Sequence, residues 1–292
     1  MVPGFQNRFR LCEVFGIPLY LDLSLAFLLL LFATGGNGFL AGLLGAALLL
    51  FSITAHELGH ALTARAFGYG THDITLSLLG GCASLIALPR KASQEFLTAV
   101  AGPAVSFALS VLGICGVQAC AVEGGLADAA LYVVEDVLAS FGLDVRLGGE
   151  LAVLPRSVWM VRAMLYLSVM NAMLGLFNLL PGFPMDGGRV FRSAMRAFMS
   201  RARATFVAMV VGRVFAVLLA SLALYRMVRG DGAWNFVTLL IAWLVWKEGY
   251  REYRQTLAES LWEDPFSYSA RVSPPPYGGK SSRTEIRRGT SQ

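Results

Sequence analysis

Residues 38–67 read GFLAGLLGAALLLFSITAHELGHALTARAF, with no charged or imidazole side chain before His56. About 20 apolar residues suffice to cross the hydrocarbon core of a bilayer as a helix. Within hydrocarbon the backbone must satisfy its own hydrogen bonds, which a helix does inside a single segment. Five further apolar windows follow the same rule, at roughly 17–34, 94–119, 158–180, 205–227 and 233–250. The fold class expected is an all-α polytopic membrane protein of about six transmembrane helices. Composition agrees, because only 15% of the residues are charged, against about 25% in soluble domains. The first run follows Arg8 and Arg10 much as a signal peptide would, but no small-x-small cleavage site closes it. It is expected to stay as a span.

One interval departs from helical patterning. DITLSLLGGCASLIAL, residues 73–88, alternates on both sides of Gly80-Gly81 and predicts a short membrane-associated β-hairpin over 74–86. The 121–157 interval is acidic, and Cys115 and Cys120 read as small core residues. From residue 263 the chain turns polar and rich in Pro, Gly and Ser. A disordered cytoplasmic tail, 263–292, is therefore expected to follow a single unit spanning 1–262. The formal charge of +5 does not point to nucleic acid, since the basic residues cluster beside apolar runs. One side of the membrane gathers Arg8, Arg10, Arg65, Arg90, Lys91, the group from Arg189 to Arg203, and those from Lys247 onward. The other side has only Arg146, Arg156, Arg226 and Arg229. The positive-inside rule then predicts a multi-pass cell-membrane protein with both termini in the cytoplasm. His56 and His60 fall in the cytoplasmic half of their helix.

His56-Glu57-Leu58-Gly59-His60 sets two imidazoles four residues apart, on one helix face, where they can share an ion. Glu57 is about 100° round from His56, placed to reach a water on that ion. Zinc with an open position brings the pKa of its water to about 7, and a carboxylate can then shuttle the proton. A third ligand is needed, and acidic residues near apolar stretches are few: Asp22 at the start of the first run and Asp186 at the end of the fourth. The fourth run closes in NLLPGFPMDGGR, Asn178 to Arg189. Its prolines end the helix, and Gly187-Gly188 permit a tight turn. Irregular backbone at membrane depth is tolerated where it is buried or lines a wet cavity. With Zn²⁺, two neutral imidazoles and two carboxylates (Asp186 and Glu57) the cluster is neutral, which lowers its cost in the bilayer. His72 lies outside this face and reads as interfacial.

HELGH in a membrane helix followed by NLLPGFPMDGGR resembles the site-2 protease family of intramembrane zinc metalloproteases. The second motif matches at Asn178, Pro181, Pro184, Asp186, Gly187, Gly188 and Arg189, and AVAGPAVS, Ala99 to Ser106, is similar to a third family feature. The resemblance covers about residues 15–250. It implies Zn²⁺ as cofactor, His56, His60 and Asp186 as its ligands, and Glu57 as catalytic acid/base. It also implies that Asn178 hydrogen-bonds substrate backbone near the scissile bond. The implied substrates are membrane-spanning regulatory proteins, cut near the cytoplasmic face. Many relatives have Asn where this chain has Ser106, a position expected only to tune helix packing. Neither a PDZ insertion nor a CBS pair is recognisable, so regulation is expected to come from a separate membrane protein. Two rival readings use the same residues: a zinc-binding membrane transporter, and a non-catalytic scaffold of this fold.

Overall fold

The structure, a computed structural model, describes residues 8–34, 39–77, 80–85, 91–123, 126–140, 145, 147, 152–153, 158–229 and 235–263. The tail expected from residue 263 lies, from 264 on, outside the described residues. The chain opens not with a helix but with two strands, β1 (Arg8–Val14) and β2 (Ile17–Asp22). They join through Phe15-Gly16, both at positive φ (53° and 76°), as a two-residue hairpin loop requires. The first apolar window therefore begins as strand. Its Ile17 and Leu19 alternate onto a buried face, and helix α1 starts only at Leu23 and ends at Thr34. The unbroken apolar stretch that follows at 25–33 masked that period of two in IPLYLDLSL, residues 17–25.

Helix α2 (Phe39–Ala66) follows, then β3 (Thr71–Ser77) and β4 (Gly80–Leu85). The expected hairpin is present, but Ser77 pairs with Gly80, so Gly80 and Gly81 open β4 instead of forming the turn. β2 pairs parallel with β3, Leu19 opposite Ile74. The result is a four-stranded sheet in the order β1-β2-β3-β4. Ile17, Leu19, Ile74 and Leu76 pack on Leu25, Leu49, Ile53 and Ala61 of α1 and α2. Arg65, at the end of α2, donates to the carbonyl of Phe15 at 2.8 Å. The sheet is thus clamped to the helix that carries HELGH.

α3 (Ala92–Cys120) runs through Pro103 without ending. Beyond it lie β5 (Ala121–Glu123), α4 (Leu126–Ser140), β6 (Ala152–Val153) and α5 (Val158–Asn178). Part of the acidic interval is thus an amphipathic helix, with Ala129 packed against Val117 and Val161. Cys115 is exposed on α3 and is not a core residue. α6 (Asp186–Met195), α7 (Arg201–Arg229) and α8 (Asn235–Glu263) complete the described elements. Among these residues four helices are long and apolar enough to cross a membrane: Phe39–Ala66, Ala92–Ala119, Trp159–Asn178 and Arg201–Arg229. α1, at 12 residues, reaches about 18 Å, short of the roughly 30 Å core. α8 turns charged from Lys247 on.

Candidate metal centre

The buried face of α2 carries Ala46, Leu49, Ile53, His56, Glu57, His60 and Ala64, a stripe at helical spacing. The motif side chains therefore point into the protein and away from lipid. α3 crosses this face closely. A Cβ on Gly59 would stand 2.8 Å from the Ala101 carbonyl oxygen, so only glycine permits the approach.

Asp186 comes from the other side. α5 ends at Asn178, and the following residues wind into a compact turn through Gly182 N–H to Leu180 O (2.8 Å) and Met185 N–H to Gly182 O (3.1 Å). Asp186 is the first residue of α6, where the helix dipole favours a carboxylate. Gly187 and Gly188 serve close packing and not the turn expected of them. A Cβ on Gly187 would lie 2.2 Å from Leu180 O, and one on Gly188 2.8 Å from Gly182 C.

Three donor atoms meet. His56 Nε2 and His60 Nε2 lie 3.1 and 3.0 Å from Asp186 Oδ2, and 3.2 Å from each other. His60 Nδ1 donates to the carbonyl oxygen of Thr98 at 2.7 Å. A carbonyl only accepts, so Nδ1 carries the proton and Nε2 of the neutral ring offers a lone pair. Ser106 Oγ, 2.9 Å from His56 Nδ1, can fix the other ring in the same tautomer. Two lone pairs and a carboxylate oxygen facing one another repel unless a cation sits among them. Four-coordinate zinc, with bonds of 2.0–2.1 Å, sets its donors about 3.3 Å apart, a few tenths of an ångström wider than this triangle. The fit is good. Gly102 on α3 bounds the same space: a Cβ there would stand 2.2 Å from His60 Nε2 and 2.8 Å from His56 Nε2. Any side chain would fill the place of the ion. Glu57 is buried beside the histidines, and His56, Glu57 and His60 each offer a ligand atom within 4.8 Å of the others.

Of the remaining residues singled out, Asn178 sits at the end of α5, its amide nitrogen donating to Leu174 O at 3.0 Å. Asp22 accepts from the backbone N–H of Ser24 at 2.9 Å and caps α1. His72 is exposed on β3, 3.4 Å from Asp73. Sequence reasoning assigned no role to Thr98 or Gly102, and only packing to Ser106. The signal was present: residues 98, 102 and 106 repeat at helical spacing along α3, small or polar in an apolar helix.

Comparison with known proteins gives a consistent picture. The sequence model of peptidase family M50 matches residues 44–222. A candidate zinc metalloprotease of Synechocystis sp., sll0528, is 32% identical over 82% of this chain and 58% of its own length. The candidate zinc metalloprotease Rip3 of Mycobacterium tuberculosis is 33% identical, over 76% and 49%. The zinc metalloprotease MJ0392 of Methanocaldococcus jannaschii is 28% identical, over 87% and 63%. The chain thus spans about half to just under two thirds of the length of these relatives. Among solved structures, the site-2 protease from Methanocaldococcus jannaschii shares the fold with a TM-score of 0.53 at 24% identity, covering 84% of this chain and 95% of that one.

Proposed function

Because this chain belongs to peptidase family M50, we propose that it is an intramembrane zinc metalloprotease. One observation carries the reading: two imidazole nitrogens and the Asp186 carboxylate, from two helices, converge to within 3.2 Å. His56, His60 and Asp186 would hold the ion. A zinc ion held there supplies Lewis-acid polarisation of the scissile carbonyl and a water of pKa near 7.

The chain's own residues do the rest. Glu57 takes the proton of the attacking water as oxygen bonds to the carbonyl carbon. It returns that proton to the amide nitrogen as the C–N bond breaks. The Thr98 carbonyl and Ser106 hydroxyl keep both rings in the ligating tautomer. Asn178 would exchange its bond to Leu174 for one to substrate backbone.

The substrate class follows from physics. A peptide bond in a membrane helix is shielded by its own hydrogen bonds, so it must unwind before water attacks. The sheet offers an edge strand on which an unwound segment can pair. Substrates would be membrane-spanning regulatory proteins cut near the cytoplasmic face, with a separate membrane protein as regulator. In this arrangement residues 1–262 form the protease unit, and both termini, with the 263–292 tail, lie in the cytoplasm.

The test is cleavage of single-span candidates by the purified chain in liposomes, with and without a zinc chelator. Glu57→Gln should retain one zinc and lose cleavage by about 100-fold or more, the scale on which acid–base catalysis contributes. Cleavage retained in Glu57→Gln overturns the mechanism.

A further inference from the structure

Arg192 of α6 is the largest fully buried side chain among the described residues, 1% exposed. Its Nε donates to Glu95 Oε1 of α3 at 2.7 Å, and its Nη1 to Glu252 Oε1 of α8 at 2.6 Å. The second oxygen of Glu95 accepts from Arg196 at 2.7 Å. The guanidinium also lies over the ring of Phe183, 5.1 Å from its centroid, in the turn that delivers Asp186. A buried ion pair contributes little net stability, because desolvation offsets most of the attraction. What it does supply is direction, since a planar fork fixes the relative orientation of two helices.

That direction matters because of where Glu95 stands. Glu95, Thr98, Gly102 and Ser106 follow one another at i, i+3, i+7 and i+11, a single face of α3. Thr98 holds His60, Gly102 leaves room at both Nε2 atoms, and Ser106 meets His56. The same face that sets the two imidazoles is therefore bolted, through Glu95, to the helix that begins with Asp186. We infer that Arg192 and Glu95 are positioning residues of the metal centre, locking α6 to α3 so that the Asp186 carboxylate meets both imidazoles. This rests on the zinc-site reading above.

The experiment uses the full chain in detergent or bilayer. It reads zinc affinity by competition with a chromophoric chelator, and the ligand-field spectrum after cobalt substitution. Arg192→Lys keeps the charge but cannot grip Glu95, Glu252 and the Phe183 ring together. Should it not fold, Glu95→Gln, which retains shape and one acceptor, carries the test. Both variants should bind zinc about 10–100-fold more weakly, the scale of outer-shell changes, with an altered cobalt spectrum. Glu252→Gln, which loosens only α8, should bind zinc as the unaltered chain does. Wild-type affinity and spectrum in Arg192→Lys and Glu95→Gln, beside a loss in Asp186→Ala, overturn the positioning role and leave the metal site standing. Wild-type affinity in Asp186→Ala as well overturns the metal site and the positioning role with it.

Discussion

Two clusters of buried ionisable groups share helix α6, one through Arg192 and the other through Asp186, and they differ in how their charges close. In the cluster of Arg192, Arg196, Glu95 and Glu252, two cations face two carboxylates, and contacts of 2.6–2.7 Å join them. Each buried donor there meets an acceptor. In the cluster of His56, His60 and Asp186, three acceptor atoms face one another at 3.0–3.2 Å, while the donor side of His60 is turned outward to Thr98. The first cluster is complete as protein. The second is complete only around a cation. A set of buried polar atoms reads as a ligand site when its unshared pairs converge, and as a fastening when donors and acceptors balance.

The sharpest way to break that contrast is to fill the space among the lone pairs without touching any ligand. Gly102→Ala should abolish zinc binding more completely than the roughly 100-fold that outer-shell changes reach, since its methyl would stand 2.2 Å from His60 Nε2. Equilibrium dialysis of the purified variant measures this. Zinc bound at wild-type affinity would mean that the ion does not sit where the donors converge. Ser106→Ala should have a smaller effect, about tenfold in zinc affinity, because His60 keeps its own tautomer through Thr98 and only the His56 ring loses its partner. An unchanged affinity would return Ser106 to the packing role its sequence position suggested.

The two clusters were unequally legible. HELGH shows its purpose in five residues, because helical spacing alone brings His56 and His60 together. Asp186 is 126 residues from His60, and it could be nominated only because NLLPGFPMDGGR stops a helix and carries one of the few acids at membrane depth. Arg192 was read as one more basic residue on the cytoplasmic side, since nothing in a single sequence pairs it with a glutamate 97 positions away. Local spacing is written in the sequence, whereas the meeting of distant helices is settled by packing. The same limit explains the N-terminus. Ile17 to Asp22 leads straight into a long apolar run and so passes for the start of a helix, and its strand period is settled by the pairing of Leu19 with Ile74 of β3. Gly102 was visible in AVAGPAVS, but its purpose, standing clear of two nitrogens on another helix, required the crossing of α2 and α3.

Acid should separate the clusters more gently. Zinc affinity falls as pH falls, because its ligands must be deprotonated. The charge-closed cluster behaves differently. Burial disfavours the charged form of Glu252, but Arg192 at 2.6 Å outweighs it and holds that carboxyl below its ordinary value of 4.5. A carboxylate whose folded pKa is depressed stabilises the native state fully above its unfolded value, and that contribution is lost as pH falls through the lower folded one. The loss in melting temperature between about pH 5.5 and about pH 3.5 should therefore be shallower in Glu252→Gln than in the unaltered chain. The difference should be small, since the Glu252 side chain is 26% exposed and solvent screens the pair. Parallel pH curves in metal-free protein would show that Glu252 carries no net charge coupling to Arg192. The fastening of α8 to α6 would then rest on the hydrogen bond alone.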